Sequence, residues 1–230
     1  MWRTIFLTIL IPVLLLGLSG CKSNDNIVRE LEAEHISYKV SYMEKMAGDI
    51  PTRMLPDMME AYYTKRYIKT SINGFFGQFS LVQIADLRKN TVTTLLNFLG
   101  SKVAYQGKNG EIPAGIVPLD NPTCTLTQDT LSISGIHSKK AIIETDNDQF
   151  TIYYTEELDI RNPNLTTPYY FIDFVLSDFR VQLSVLKMRL ILDNHEQIAV
   201  EESQFQIPED YTLVSRTAME SIINNLFTKD

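Results

Sequence analysis

From residue 36 to residue 42 apolar side chains hold the even positions, while Ser37, Lys39 and Ser41 hold the odd ones. A period of two belongs to an extended strand with one buried face and one wet face. Breakers follow, Gly48-Asp49-Ile50-Pro51 and then Pro56. Residues 58–70 are rich in aromatic and β-branched side chains and read as a strand with an interior turn near Lys65-Arg66. Further strands are expected over 78–86, 91–98, 102–106, 129–135, 139–145 and 149–155, and a last pair over 180–192 and 197–205. Short polar connections, Leu87-Arg88-Lys89-Asn90, Gly100-Ser101, Asp146-Asn147-Asp148 and Asp193-Asn194-His195-Glu196, suit hairpins.

The stretches 107–128 and 159–170 are broken by proline and glycine and read as irregular, the first as a mobile loop. Only the C-terminus changes period. Thr217-Ala218-Met219-Glu220 fits a capping box, and Ile222, Ile223, Leu226 and Phe227 then form an apolar stripe at helical spacing. The sum is nine or ten antiparallel strands with helices at the ends, which argues against a parallel α/β fold. The expected class is mainly β with α (α+β), one domain over 35–230.

The N-terminus is of another kind. Arg3 is the one charge before Lys22, no acidic residue precedes Asp25, and residues 5–18 are apolar apart from Thr8, Pro12 and Gly17. Fourteen residues span about 21 Å as helix, short of the roughly 30 Å bilayer core, so this is the core of an export signal rather than a membrane span. Leu18-Ser19-Gly20-Cys21 follows at once and resembles the lipobox of bacterial lipoproteins. The reading is a signal peptide over 1–20, removed on export, with lipidation at Cys21 and a lipid anchor and tether over 21–34, where 26–33 has the makings of a short helix. Lys22 follows the cysteine where inner-membrane retention resembles Asp, so the outer membrane is expected, on its periplasmic or its surface face.

Without Arg3 the chain has 20 basic and 28 acidic side chains, a net of −8. That balance disfavours a nucleic-acid partner and disfavours docking on anionic lipid by charge alone. With Cys21 acylated, Cys124 has no intrachain partner and reads as a packing residue.

The segment Ile133-Ser134-Gly135-Ile136-His137-Ser138-Lys139-Lys140-Ala141, followed after a turn by Ile152-Tyr153-Tyr154-Thr155-Glu156, resembles a recurrent feature of a little-characterised family of Bacteroides-type envelope lipoproteins. Phe205-Gln206-Ile207-Pro208-Glu209-Asp210-Tyr211 is similar to that family's F-x-I-P-x-D-Y ending. The resemblance runs over residues 35–215 and implies an antiparallel, curved, incompletely closed β-barrel like that of the lipoprotein carrier LolA, whose concave face can hold an acyl chain. Family members often carry Cys where this chain has Ser138, so no thiol-dependent role carries over.

Met43, Met46, Met54, Met58 and Met59 crowd into 17 residues and suit a soft-metal site, a pliable acyl-binding wall or plain core packing, the last being the simplest. A ligand on the concave face is expected against Tyr38, Val40, Tyr42, Met54, Met58, Met59 and Tyr63. His35, His137 and His195 show no metal-ligand spacing, and adjacent pairs such as Glu156-Glu157 and Glu201-Glu202 point to opposite faces of a strand. Gly-x-Ser-x-Gly and phosphate-loop motifs are missing, and Asp129-Thr130-Leu131 resembles a short O-glycosylation pattern. The expectation is a membrane-anchored, non-enzymatic protein without cofactor that binds lipid or an acyl chain, or else a structural subunit that docks an envelope protein partner.

Overall fold

The computed structural model describes residues 29–228. The expected signal peptide, the expected lipidation site Cys21 and the first part of the expected tether lie outside the described residues. Fourteen strands are present: β1 (Glu30–Tyr42), β2 (Met46–Ala47), β3 (Ile50–Pro51), β4 (Met58–Tyr63), β5 (Tyr67–Gly74), β6 (Phe79–Asp86), β7 (Thr91–Phe98), β8 (Ser101–Gln106), β9 (Thr123–Ile133), β10 (Ile136–Glu144), β11 (Gln149–Thr155), β12 (Val175–Leu183), β13 (Leu186–Glu201) and β14 (Thr212–Leu213). One α-helix is found among the described residues, α1 (Arg216–Phe227), after β14.

Twelve strands form one sheet in the order β14-β8-β7-β6-β5-β4-β1-β13-β12-β11-β10-β9, and β2 and β3 pair separately. All neighbours in the large sheet are antiparallel except β14 and β8. The sheet is curved and is not closed into a barrel, because β14 and β9 remain its edges. The β-rich α+β class therefore holds.

Each face has its own apolar cluster. On the concave side Ile36, Tyr38 and Val40 of β1 meet Met59, Ala61, Ile68, Ile72, Leu81, Leu96, Leu190 and Leu192. On the convex side Ala33, Ile84, Leu95, Ala104 and Val200 are covered by Phe205, Ile207 and Tyr211 from the segment that crosses from β13 to β14. An antiparallel sheet commonly leaves one face wet. Here the chain crosses back over the second face and covers part of it.

Three sequence expectations are corrected. Residues 30–33 are strand, not helix or tether, because Leu31 and Ala33 pack on the convex cluster opposite Val200 and Ile198. Asp193-Asn194-His195-Glu196 is not a hairpin tip: β13 runs straight through it with a bulge, and the turn lies at Ser184-Val185 instead. The stretch 107–122 is no free loop. Ala114 and Ile116 are buried in the concave core, and Ile116 bridges to Leu183.

The helix starts two residues earlier than the capping box suggested. Ser215 is the N-cap, its Oγ accepting from the Ala218 N–H at 3.2 Å. Met219, Ile223 and Phe227 are its buried face. Gly115 sits under that face with φ +85°, and a Cβ there would meet Ile223 Cδ1 at 2.7 Å and Leu183 Cδ1 at 3.1 Å. Gly115→Ala is expected to lower unfolding stability by about 1–3 kcal/mol, through both left-handed strain and crowding, as read by urea denaturation. A loss within about 0.5 kcal/mol would mean that α1 does not pack tightly there.

Candidate functional site

The expected ligand wall separates into several environments. Tyr38 and Val40 are buried in the concave core, and Tyr38 donates its hydroxyl to the Leu176 carbonyl at 3.1 Å while its ring meets Phe179 edge-on. Tyr42 is half-buried and donates to the Pro56 carbonyl at 2.6 Å. Met59 and Met58 are neighbours on one strand and so face opposite sides of the sheet. Met59 is buried inside, while Met58 is half-buried on the convex side, which removes it from the concave wall. Met54 is 60% exposed in a short 3-10 turn, outside the buried concave core. Tyr63 is buried, and burial pushes its phenol up to about 12.

Three segments fill the hollow side. Ala114 and Ile116 come from the stretch after β8; Tyr169 and Ile172 come from the stretch before β12; Met219, Ile223 and Phe227 come from α1. The second of these is fixed from within. Asn164 Nδ2 donates to the carbonyls of Ile172 and Phe174 at 2.7 and 2.9 Å, and the Tyr169 hydroxyl donates to the Arg180 carbonyl at 2.7 Å. Burial pushes the Tyr169 phenol well above its ordinary range, so it remains a donor. Between these segments and the sheet lies a void of about 40 Å³ lined by Met59, Ile72, Leu81, Phe179, Met188 and Leu190, among others. A second void of about 20 Å³ lies beside Tyr42 and Phe227. Dry engineered cavities that take up benzene are about 150 Å³, and ligand pockets run to roughly 300–1,000 Å³. Neither void admits an acyl chain as it stands.

A larger and more polar space lies at the end of the sheet where β1 begins. This cleft of about 580 Å³ is bounded by Glu32 and Glu34 of β1, Tyr63, Thr64 and Lys65, Gln197 of β13, and Asp159-Ile160-Arg161 across from them. Glu34 is held in place by two contacts: Gln197 Nε2 donates at 2.7 Å, and His195 Nε2 lies 2.5 Å away. The sequence reading passed over this cleft, since its residues come from one strand end, one hairpin tip and one irregular stretch. The breakers around Asp159 and Arg161 were the available signal.

The histidines fall on different surfaces. His35 is on the convex side, stacked on Tyr62 and placed 2.6 Å from Glu60 and 3.0 Å from Glu196, while His195 lies on the other face against Glu34 and His137 is exposed. Among the described residues no group of three His, Cys, Asp or Glu side chains is placed to hold a metal ion. Cys124 is half-buried on β9, and burial pushes its thiol up, the reverse of what an activated nucleophile needs. Thr130 is exposed on the same strand. No described helix is long and apolar enough to cross a membrane.

No protein-family model matches the chain, and no curated protein matches it. Its fold is similar to part of PNGF-II, seen in a C2 crystal form (TM-score 0.53, 14% identity) and a P21 form (TM-score 0.53, 13% identity). The likeness covers 84% of this chain and 32–33% of PNGF-II, so the chain spans about a third of that protein's length. At such identity the likeness speaks for the fold alone.

Truncating a pocket wall and truncating a core have different costs. Met59→Ala is expected to lower stability by about 2–5 kcal/mol, and Met54→Ala by less than about 0.5 kcal/mol, in the same denaturation experiment. A near-neutral Met59→Ala would mean that the concave side is a loose pocket.

Proposed function

We propose that this chain is a lipid-anchored, non-enzymatic envelope protein that docks a partner protein on its surface. Cys21 carries the acyl chains in this reading, at the outer membrane. One observation carries the choice: the core of the concave side is packed with the chain's own residues, with apolar voids of about 40 and 20 Å³ between them. A protein with a filled core works through its outside.

The docking face is the end of the sheet away from the start of β1. Six exposed apolar side chains sit on its loops: Met43, Met46 and Met54 between β1 and β4, Phe76 between β5 and β6, Leu99 between β7 and β8, and Val185 between β12 and β13. Phe76 is as exposed as in an isolated peptide. Anchors of this kind, set on rigid turns, supply much of the energy of protein–protein contacts when a partner desolvates them. That the same fold occupies a third of a longer protein, PNGF-II, fits a module that works beside other structure.

A second reading keeps the LolA-like acyl carrier. It is favoured by the apolar lining of the larger void, and it needs the stretches 107–122 and 159–174 to swing out together. Native mass spectrometry of the protein extracted under mild conditions separates the two. The docking reading expects an apo mass without lipid, no uptake of a fluorescent fatty acid, and a stable crosslinked complex. Phe76→Ser with Leu99→Ser is expected to cut complex recovery about tenfold while leaving the thermal midpoint unchanged. Co-purifying lipid with no such complex would overturn the docking reading in favour of the carrier.

A further inference from the structure

Three turns follow one another along the end of the sheet where β1 starts: 64–66 between β4 and β5, 87–90 between β6 and β7, and 107–110 after β8. They carry Lys65 and Arg66, Arg88 and Lys89, and Lys108. Hydrogen bonds stitch these turns into one surface. The Leu87 N–H donates to the Arg66 carbonyl at 2.9 Å, the Gly110 N–H to the Asn90 carbonyl at 2.9 Å, and Asn109 Nδ2 to the Lys89 carbonyl at 2.9 Å. Asp86 Oδ1 accepts from the Arg88 and Lys89 N–H groups at 3.0 and 3.3 Å, and its Oδ2 accepts from Arg66 Nη2 at 3.2 Å.

Along the three turns five cations stand beside Asp86 and Glu111, and Lys65 also borders the cleft that holds Glu32, Glu34 and Asp159. Asp86 is engaged by Arg66, and Glu111 by the Tyr105 hydroxyl at 2.6 Å and the Lys108 N–H at 2.9 Å. The side chains of Lys65, Arg88, Lys89 and Lys108 are exposed and form no ion pair among the described residues. A chain with a net charge of −7 holds a basic rim at one end. Beyond the start of β1 the same end turns acidic, with Glu30, Glu32, Glu201 and Glu202.

We propose that this basic rim rests on the anionic phosphate headgroups of the membrane that carries the anchor, and so sets the orientation of the domain. The inference rests on the lipid-anchor reading of Cys21. Eight residues lie between Cys21 and the start of β1 by sequence, a reach of at most about 30 Å. β1 then runs about 40 Å to the other end of the sheet. The tether therefore brings the basic turns to the bilayer more readily than the apolar loops opposite. Charge attraction fades within about 8 Å at physiological salt, so the rim acts only once the lipid has brought it close. One lipid signal combined with a basic patch is a recognised way to fix a protein on a membrane. The acidic side of the same end is repelled, and the domain tilts with the β4–β8 side down.

Fluorescence transfer tests this on the full chain in vesicles of phosphatidylcholine with and without phosphatidylglycerol, using an acceptor dye on the lipid headgroup. In a Cys124→Ser background a donor is placed at Asn109→Cys or, at the opposite end, at Gln78→Cys. Transfer from position 109 should exceed that from position 78 severalfold with phosphatidylglycerol present. The excess should vanish in neutral vesicles and in the Lys65→Glu, Arg88→Glu, Lys89→Glu, Lys108→Glu variant, whose circular dichroism should be unchanged. Equal transfer from the two ends, or an excess indifferent to lipid charge and to the reversal, would overturn the proposal. The mass of the membrane-extracted protein decides the anchor separately, by the presence or absence of a diacylglyceryl thioether on Cys21. Should it be absent, the same measurement on the full chain held by an N-terminal hexahistidine tag on nickel-chelating lipid still decides the rim.

Discussion

Two meanders, β4 to β8 and β9 to β12, pair each strand with its neighbour in sequence, and neither closes on itself. What makes them one sheet is the pairing of β1 with β13, a ladder running from Glu30↔Glu201 to Tyr42↔Met188 between segments some 161 residues apart in sequence. A non-local seam of this kind repays its loop-closure entropy only once both meanders exist, which makes its formation a late and slow event in folding. The concave core forms across it, since Tyr38 and Val40 lie on one strand and Leu192 and Leu190 on the other.

The seam also has a one-residue irregularity at Asp193 that the two-faced core requires. Met188, Leu190 and Leu192 point into the hollow at even positions. Past the bulge His195 and Gln197 take the inner side, while Ile198 and Val200 reach the convex cluster. A one-residue shift exchanges the faces of everything beyond it. With strict alternation Ile198 and Val200 would enter the cleft, and the convex cluster would lose its centre. The same bulge explains why the inner surface changes from apolar to polar toward the start of β1, where Glu34 and His195 meet.

That bulge is also where sequence reasoning was weakest. Asp193-Asn194-His195-Glu196 has the composition of a turn, and the apolar alternation does change phase there, so a hairpin was the natural reading. A bulge and a turn leave the same mark on a periodicity pattern. Where strands are short and bounded by tight turns, as with residues 91–98, pattern and structure coincide to the residue. The candidate pocket wall was less legible. Apolar alternation says that a face is buried but not by what, and Tyr38, Val40 and Met59 look alike whether a ligand or Ala114, Tyr169 and Ile223 cover them. The segments that carry Ala114 and Tyr169 are those whose proline and glycine content reads as loop. Asn164 satisfies backbone carbonyls of the segment that carries Tyr169 from inside, a role that no local pattern announces.

Charge has the same gap between sum and arrangement. A net of −7 describes the far field of the chain, and at that range it argues against any anionic surface. Contact is decided within a Debye length, where only the nearest side chains count. Antiparallel connectivity gathers alternate turns at one end of a sheet. Lys65, Arg88 and Lys108, roughly 20 residues apart in sequence, therefore become neighbours without any run of basic residues. Apolar residues at the intervening turns, Phe76 and Leu99, are carried to the other end by the same rule. A meander with basic and apolar turns in alternation is consequently polarised along its strands whatever its total charge. If one end is held by lipid at Cys21, that polarity becomes a difference between a side facing the membrane and a side facing away from it.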